Sequence, residues 1–335
     1  MGKFFGTDGV RAKAGAYPLD LPTVRRLGAA LVRALRHGDE PVRFLAGRDT
    51  RESGSWIERE LAFGIRSQGA TLISAGVIPT PAIAYLTPKK GYTAGVVISA
   101  SHNPFEDNGI KVFSGAGEKF TEALEDRVES FMLPEEAFGW TQPPPLGAAV
   151  DVLDYRQDYI GHLKEILPPD GRLRGVRVAI DCANGATTTI APRLFQELGI
   201  EARCIGCEPD GRNINLKCGS TAPQQLAKVV VEGGYRLGVA YDGLGMGADG
   251  TLWGGEILLA EKDRRTDAQR EASLAHADRP DARGPDKGGV SAIDSDAMKN
   301  VDIEALGREV LEIVNRELEL RQERRQEDSD ANLWW

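Results

Sequence analysis

Two α/β domains in series are the architecture this sequence predicts, and three observations predict it. Helix-patterned and strand-patterned stretches alternate from about residue 20 to residue 150, a proline run interrupts them, and the same alternation then resumes as far as residue 241. At 335 residues the chain is long enough for two or three domains, each with its own core.

In the first block, Leu27, Leu31 and Leu35 recur every four residues and predict a helix over 21–35. A strand over 42–46, a helix over 57–67 and strands over 71–74 and 94–98 come next, each bounded by glycine, proline or polar residues. The run Gln142-Pro143-Pro144-Pro145 favours an extended connector. It places a boundary near 145–152, hence domains over 1–150 and 151–260. The second block predicts a helix over 155–166, a strand over 176–180, a helix over 186–198, a strand over 202–205, a helix over 223–231 and a strand over 237–241. Charged sequence broken by glycine and proline then predicts a loop or disordered segment to residue 289. Ile303, Leu306, Val310, Val314 and Leu318 recur at three- and four-residue spacing and predict an amphipathic helix before Trp334 and Trp335. Residues 261–335 are therefore read as a divergent tail, partly disordered or helical.

Hydrophobic residues at 41% and charged residues at 27% fit a soluble globular chain rather than a fibrous or disordered one. No apolar run approaches the roughly 18 to 20 residues of a membrane helix, so no membrane association is expected. The segment from Met1 to Asp8 lacks the apolar core of a secretory signal, which predicts a cytoplasmic location. A net charge of -9 argues against binding nucleic acid through the whole surface. An anionic ligand must then meet local cations, of which Arg11 with Lys13, Arg48 with Arg51, and Lys111 are the candidates. Four cysteines lie between residues 182 and 218, and Cys204 with Cys207 has the C-x-x-C spacing of metal and redox sites. Cys182 and Cys204 sit in or beside apolar strand-like runs, where a thiol usually packs as a small hydrophobe, and that reading is preferred.

The segment Ile98-Ser99-Ala100-Ser101-His102-Asn103-Pro104-Phe105-Glu106-Asp107-Asn108-Gly109-Ile110-Lys111 succeeds an apolar strand. Its small, polar and turn-forming residues predict an exposed loop at the strand's carboxyl end, where open α/β sheets bind ligands. By itself it reads either as an ordinary surface turn or as a loop presenting a nucleophilic serine. Phe5 to Arg11, Gly47 to Arg51 and Asp181 to Ala186 likewise join glycines to polar or basic side chains, as anion-binding loops do. Each is weak alone; the second also suits a helix cap and the third a strand-to-helix turn.

Phe5 to Arg11, Ser99 to Lys111, Asp181 to Ala186, Gly206 to Asn215 and Cys218 to Thr221, taken together and in order, resemble the α-D-phosphohexomutase superfamily, and within it the phosphoglucosamine mutases. The resemblance runs to about Ala260 and covers the family's first two domains. It implies two consecutive phosphohexomutase-type α/β domains with mixed sheets. It further implies that Ser101 carries a phosphoryl group, donates it to a hexosamine phosphate and recovers another from the bisphosphate. Lys111 and Arg11 would assist proton transfer and charge stabilisation, His102 would line the loop, and Thr7, Arg48 and Asn103 would bind substrate phosphate. A homo-oligomer is compatible with a surface on which later domains normally dock.

The resemblance also implies Mg²⁺, held by the Ser101 phosphate and alternate carboxylates of an Asp-Gly-Asp-Gly-Asp-Arg loop. Here that loop reads Asp242-Gly243-Leu244-Gly245-Met246-Gly247, so Asp242 remains and the positions of Leu244 and Met246 offer no hard oxygen. The glycine spacing from Gly243 to Ala248 imitates a dinucleotide fingerprint, but the run from Asp249 to Gly255 is a poor helix start. Neither a Glu-x-Ser-Gly-His nor an Arg-x-Ser-Gly-Thr motif of the later domains occurs. Two readings therefore stand: a mutase-like enzyme working through Ser101, or a truncated, non-catalytic sugar-phosphate-binding module.

Overall fold

A computed structural model describes residues 4–6, 9–140, 150–166, 173–235, 237–246 and 252–259, with the backbone alone for 242–246 and 252–259. Thr7, the loop expected to residue 289 and the helix expected from 303 to 318 lie outside the described residues.

The first block forms a six-stranded mixed sheet in the order β1-β5-β4-β2-β3-β6. Its strands are β1 (Val10–Lys13), β2 (Arg43–Arg48), β3 (Thr71–Val77), β4 (Ala94–Ile98), β5 (Asp107–Ser114) and β6 (Asp151–Val152). β2 is parallel to β3 and β4, and β3 to β6, whereas β5 is antiparallel to β1 and β4. Parallel neighbours need crossovers, and helices supply them: α1 (Leu21–Leu35), α2 (Gly54–Ser67) and α3 (Thr80–Lys89), with α4 (Glu122–Ser130) after β5.

Alternation along the strands sorts the core into two layers. Phe44, Ala46, Val96, Ile98, Ile110 and Val112 pack with Leu27 and Leu31 of α1 and with Ile57, Leu61 and Ile65 of α2. Leu45 and Val97 pack on the other face with Ile78, and with Ala82, Ile83 and Leu86 of α3. Asp20 caps α1 by accepting from the Thr23 amide at 2.9 Å.

α1 and α2 cross where each has a glycine. A Cβ on Gly64 would lie 1.9 Å from the Arg25 carbonyl oxygen, and one on Gly28 would lie 2.3 Å from that of Leu61. Helix propensity alone makes alanine better than glycine by about 1 kcal/mol. Gly64→Ala is nevertheless expected to destabilise by about 1–3 kcal/mol, because backbone must separate to admit the methyl group. A denaturant midpoint equal to or above that of the parent chain would contradict this crossing.

The second block forms a four-stranded sheet in the order β10-β9-β7-β8. β7 (Arg177–Asp181) is parallel to β8 (Glu201–Ile205) and β9 (Leu237–Met246), and β10 (Leu252–Leu259) is antiparallel to β9. α6 (Ala191–Glu197) and α7 (Gln224–Glu232) cover its two faces with separate apolar clusters. α5 (Arg156–Ile166) sends Tyr159 and Ile160 into the α3 layer, where Ile190 joins them, so one core cluster ties the two blocks together. Among the described residues, no helix is long and apolar enough to cross a membrane.

Several elements differ from expectation. The polar run through Asp107 and Asn108 is not loop but the start of β5, and Lys111, expected in the loop, stands in that strand opposite Val97. α3 escapes the sequence pattern because it contains Pro81 and Pro88; Pro81 sits at the helix start, where a missing amide costs little. The helix expected over 186–198 begins instead as a 3₁₀ turn, Ala186–Thr189, before α6. Its Thr187, Thr188 and Thr189 are β-branched and favour an irregular start.

Candidate active site

β4 is buried along its whole length and delivers Ser99, Ala100 and Ser101 at its carboxyl end. The loop is exposed, as expected, at His102, Pro104 and Glu106, but the serine itself is not: Ser101 is only 4% exposed. Ser101 adopts a left-handed backbone conformation, φ 54°, and its amide donates to Ser99 Oγ at 3.1 Å. A serine in that region is costly unless its surroundings hold it, so the holding groups matter.

Arg51 is the principal one. Its side chain is wholly buried at the foot of α2, and Asp49 accepts from its Nε at 2.9 Å and from its amide at 3.0 Å. Arg51 Nη2 donates to the carbonyls of Ser101 at 2.8 Å and Asn103 at 2.9 Å, and Nη1 donates to that of Pro104. The planar five-donor fork is apt here, since one rigid group reaches several acceptors at fixed angles. The Asp49 amide donates to the Ile98 carbonyl at 3.1 Å, which joins this clamp to the end of β4.

A second hold comes from the other sheet. Asn215 Nδ2 donates to the same carbonyls of Ser101 at 2.8 Å and Asn103 at 3.0 Å. Asn215, itself left-handed at φ 59°, is fixed by its amide donating to the Ala183 carbonyl at 2.9 Å. Thr50 Oγ1 donates to the Asn184 carbonyl at 2.6 Å, and the Glu52 amide to that of Gly211 at 2.9 Å. The stretches 181–186 and 206–215, unconnected in the sequence, thus form one loop cluster pressed against the serine loop.

Asp181 anchors that cluster. Wholly buried, it accepts from the Ala183 amide at 2.9 Å and the Gly219 amide at 2.8 Å. Burial pushes its carboxyl above the ordinary value of 3.8, and the two amides oppose that shift. A raised folded value means that its contribution to stability is full below the ordinary range and is lost as pH rises through the folded value. Urea titrations from acid to neutral pH are expected to show that fall, and Asp181→Asn to remove it. An unchanged slope in the variant would assign the pH dependence elsewhere.

The cations stand on a different part of the same region. Val10, Ile110 and Val112 face the α1 and α2 layer, so alternation turns Arg11 and Lys111 to the opposite face, which Val97 shares. Arg11 pairs with Gly109, and its side-chain Cγ lies 3.1 Å from where a Cβ on Gly109 would be. Gly109 in turn accepts from the Ser99 amide at 3.0 Å. Arg11 and Lys111 are therefore brought beside the base of the serine loop. Arg48 is directed elsewhere: its Nε lies 3.5 Å from Glu58 of α2, a buried carboxyl that also accepts from Ser74 Oγ at 2.6 Å. Asn103 is used within the loop, donating to Asp107 at 2.9 Å.

Ser101 also borders a cavity of about 350 Å³ between the two sheets. Asp49, Ser99, Thr80, Thr187 and Asn215 bring polar groups to its lining, and Leu163, Leu194 and Phe195 are among the side chains that make most of it apolar. Such a lining favours an apolar group over a phosphate.

The residues do not fit the magnesium that the family resemblance implies. Asp242 lies in β9, outside the described side chains, and the two further loop positions are Leu244 and Met246, which have no hard oxygen. The buried carboxylates nearby are already committed, Asp49 to Arg51 and Asp181 to two amides.

In the linear chain Arg51 reads only as one of a pair of cations, and Asn215 only as the last residue of the Gly206 to Asn215 run that carries the resemblance, with no role attached to it. A basic residue two positions after an aspartate is the available signal for Arg51; for Asn215 the signal is its place in that run, which does not tell that it reaches the serine loop.

Comparison with known proteins agrees with this architecture. The family model "Phosphoglucomutase/phosphomannomutase, alpha/beta/alpha domain I" matches residues 2–137, and the corresponding domain II model matches residues 157–245. A third model, "Carbamoyltransferase, Kae1-like Domain, second subdomain", matches residues 238–291. The departure from the aspartate loop thus falls where that third match begins. A phosphoglucosamine mutase of Deinococcus deserti is 45% identical over 241 residues, 72% of this chain and 54% of the relative. One of Solibacter usitatus is 48% identical over 244 residues, 71% and 53% respectively. The chain spans about half the length of these curated relatives. The crystal structure of a phosphoglucomutase/phosphomannomutase family protein from Burkholderia thailandensis superposes with a TM-score of 0.59 at 22% identity, covering 75% of this chain and 56% of that one.

Proposed function

The chain belongs to the phosphoglucomutase/phosphomannomutase family, and on that ground we propose that Ser101 is its phosphoryl carrier, acting on a hexosamine phosphate. The observation that supports this reading most directly is the double hold on the serine loop, by Arg51 from one sheet and Asn215 from the other. Phosphoryl transfer asks little covalent work of a protein and much positioning and charge neutralisation. A left-handed serine whose carbonyl is tied down on two sides is prepared for that role.

In the proposed cycle, phosphorylated Ser101 gives its phosphoryl group to a free hydroxyl of glucosamine 6-phosphate. The resulting bisphosphate turns and returns its other phosphoryl group to Ser101 Oγ, leaving glucosamine 1-phosphate. Arg11 and Lys111 supply positive charge beside the loop, and Lys111 is the candidate for moving the proton at Ser101 Oγ. His102, Thr7, Arg48 and Asn103 belong to the proposed substrate surface, although Arg48 as placed serves Glu58. No step is routed through magnesium, because the residues present do not suit it.

Intact-mass analysis after incubation with a hexose 1,6-bisphosphate tests the carrier. One phosphate adduct is expected on the parent chain and none on Ser101→Ala, and a coupled assay for glucosamine 1-phosphate tests turnover. An adduct that persists in Ser101→Ala removes Ser101 from the mechanism.

A second reading, a sugar-phosphate-binding module without turnover, is favoured by Leu244 and Met246, which offer no hard oxygen to a metal ion. Glucosamine 6-phosphate binding measured by calorimetry, with neither adduct nor product, is the result that selects it.

A further inference from the structure

Three of the four cysteines meet at one place. Cys204 stands in β8, an edge strand; Cys207 comes after a turn at Gly206, which is left-handed at φ 60°. That turn brings the Cys207 thiol back to donate to the Ile205 carbonyl at 3.3 Å, and the Cys182 amide donates to the same carbonyl at 3.0 Å. The three side chains share a single apolar cluster, in which Cys182 is buried and Cys204 and Cys207 are half-buried. Among the described residues, no group of three or more His, Cys, Asp or Glu is arranged to hold a metal ion, so the cluster does not read as a zinc site.

We propose that this cluster is a redox modification site in which a hydroperoxide oxidises Cys204, and Cys207 resolves the product to an intramolecular disulfide. The Cys204 thiolate attacks the distal oxygen of the hydroperoxide, the O–O bond breaks, and the alkoxide or hydroxide leaves and takes a proton from water. The Cys207 thiol, held above its ordinary range, loses its proton as its sulfur attacks the sulfenic sulfur, and the displaced hydroxide takes up a proton and leaves as water. Two thiols and one hydroperoxide thus yield one disulfide, one alcohol or water, and one further water.

Cys204 is suited to be the attacking thiol by its neighbours. Hydrogen bonds from the Cys182 and then the Cys207 thiol hold it below the ordinary thiol range, against the effect of burial, and the nearby Arg203 acts in the same direction. Its thiol partners and burial raise Cys182, which keeps it a donor. The three groups therefore divide the chemistry, with Cys204 attacking, Cys207 resolving and Cys182 lending a hydrogen bond. The bridge would close the root of the loop whose far end carries Asn215.

Hydrogen peroxide treatment of the full chain, followed by alkylation, trypsin and mass spectrometry, tests this. Arg203 and Arg212 bound a single tryptic peptide, 204–212, that holds both Cys204 and Cys207. It is expected to lose two hydrogens, to resist alkylation, and to do so roughly tenfold faster in the folded chain than in concentrated guanidinium chloride. Cys207→Ser is expected to leave a sulfenic acid at Cys204 that a dimedone-type reagent traps, and Cys182→Ser to slow the first step. Fully alkylated 204–212 after peroxide, or equal rates folded and denatured, overturns the proposal whatever the variants do. A Cys182→Ser chain that oxidises as fast as the parent overturns the assignment of Cys182 as donor.

Discussion

Arg51→Met is expected to cost about 3–5 kcal/mol of folding stability, read from urea or thermal denaturation. The methionine matches the length of the arginine stem, so the loss comes from polar groups rather than volume. Asp49 would remain buried without the guanidinium that neutralises it, and the carbonyls of Ser101, Asn103 and Pro104 would lose a shared donor. Asn215 still serves two of those carbonyls, which limits the damage within the loop. Arg51→Lys should recover only part of the loss, because an ammonium group cannot span a carboxylate and three carbonyls at once. Adding Asp49→Asn to Arg51→Met should recover more, since it removes the stranded charge. A loss below about 1 kcal/mol for Arg51→Met would mean that water or a rearranged loop replaces the clamp with little cost.

Asn215→Ala is expected to separate positioning from stability. The side chain donates two hydrogen bonds at a partly buried site, and alanine tolerates the left-handed backbone there less well than asparagine, so the variant should lose about 2–3 kcal/mol. Arg51 remains, so the loop stays folded, but its hold from the second sheet is gone. A displacement of about 1 Å at a reacting atom costs on the order of a hundredfold in rate. Phosphorylation of Ser101 by a hexose 1,6-bisphosphate, monitored by intact mass over time, should therefore slow by roughly that factor. If the adduct forms at the parent rate, the second hold has no part in positioning Ser101. Asn215→Asp sharpens the test, because a carboxylate keeps the shape and turns a donor into an acceptor facing two carbonyls.

Much of the scaffold is legible without coordinates. The four-residue leucine spacing of Leu27, Leu31 and Leu35 specifies α1 to its observed ends, and the apolar runs mark β2, β4, β7 and β8 within a few residues. Periodicity reports burial on one face, and α1, β2, β4 and β7 each have a plainly buried face, while β8 alternates exposed with half-buried positions. β1 and β5 escape for the opposite reason. Arg11, Lys13, Asp107 and Lys111 make them read as polar loop, although their neighbours Val10, Ile110 and Val112 hold the core face.

The candidate site divides along the same line. Ser101, the turn residues around it and the loss of oxygen ligands at Leu244 and Met246 are matters of residue identity, and the linear chain discloses them. That Arg51 is buried under the loop rather than solvated, that Asn215 arrives from another sheet at the same two carbonyls, and that three thiols meet behind them are matters of distance between segments far apart in the chain. Local propensity carries no information about such distances. They are set by how strands pair and which layers pack, so only the assembled fold decides them.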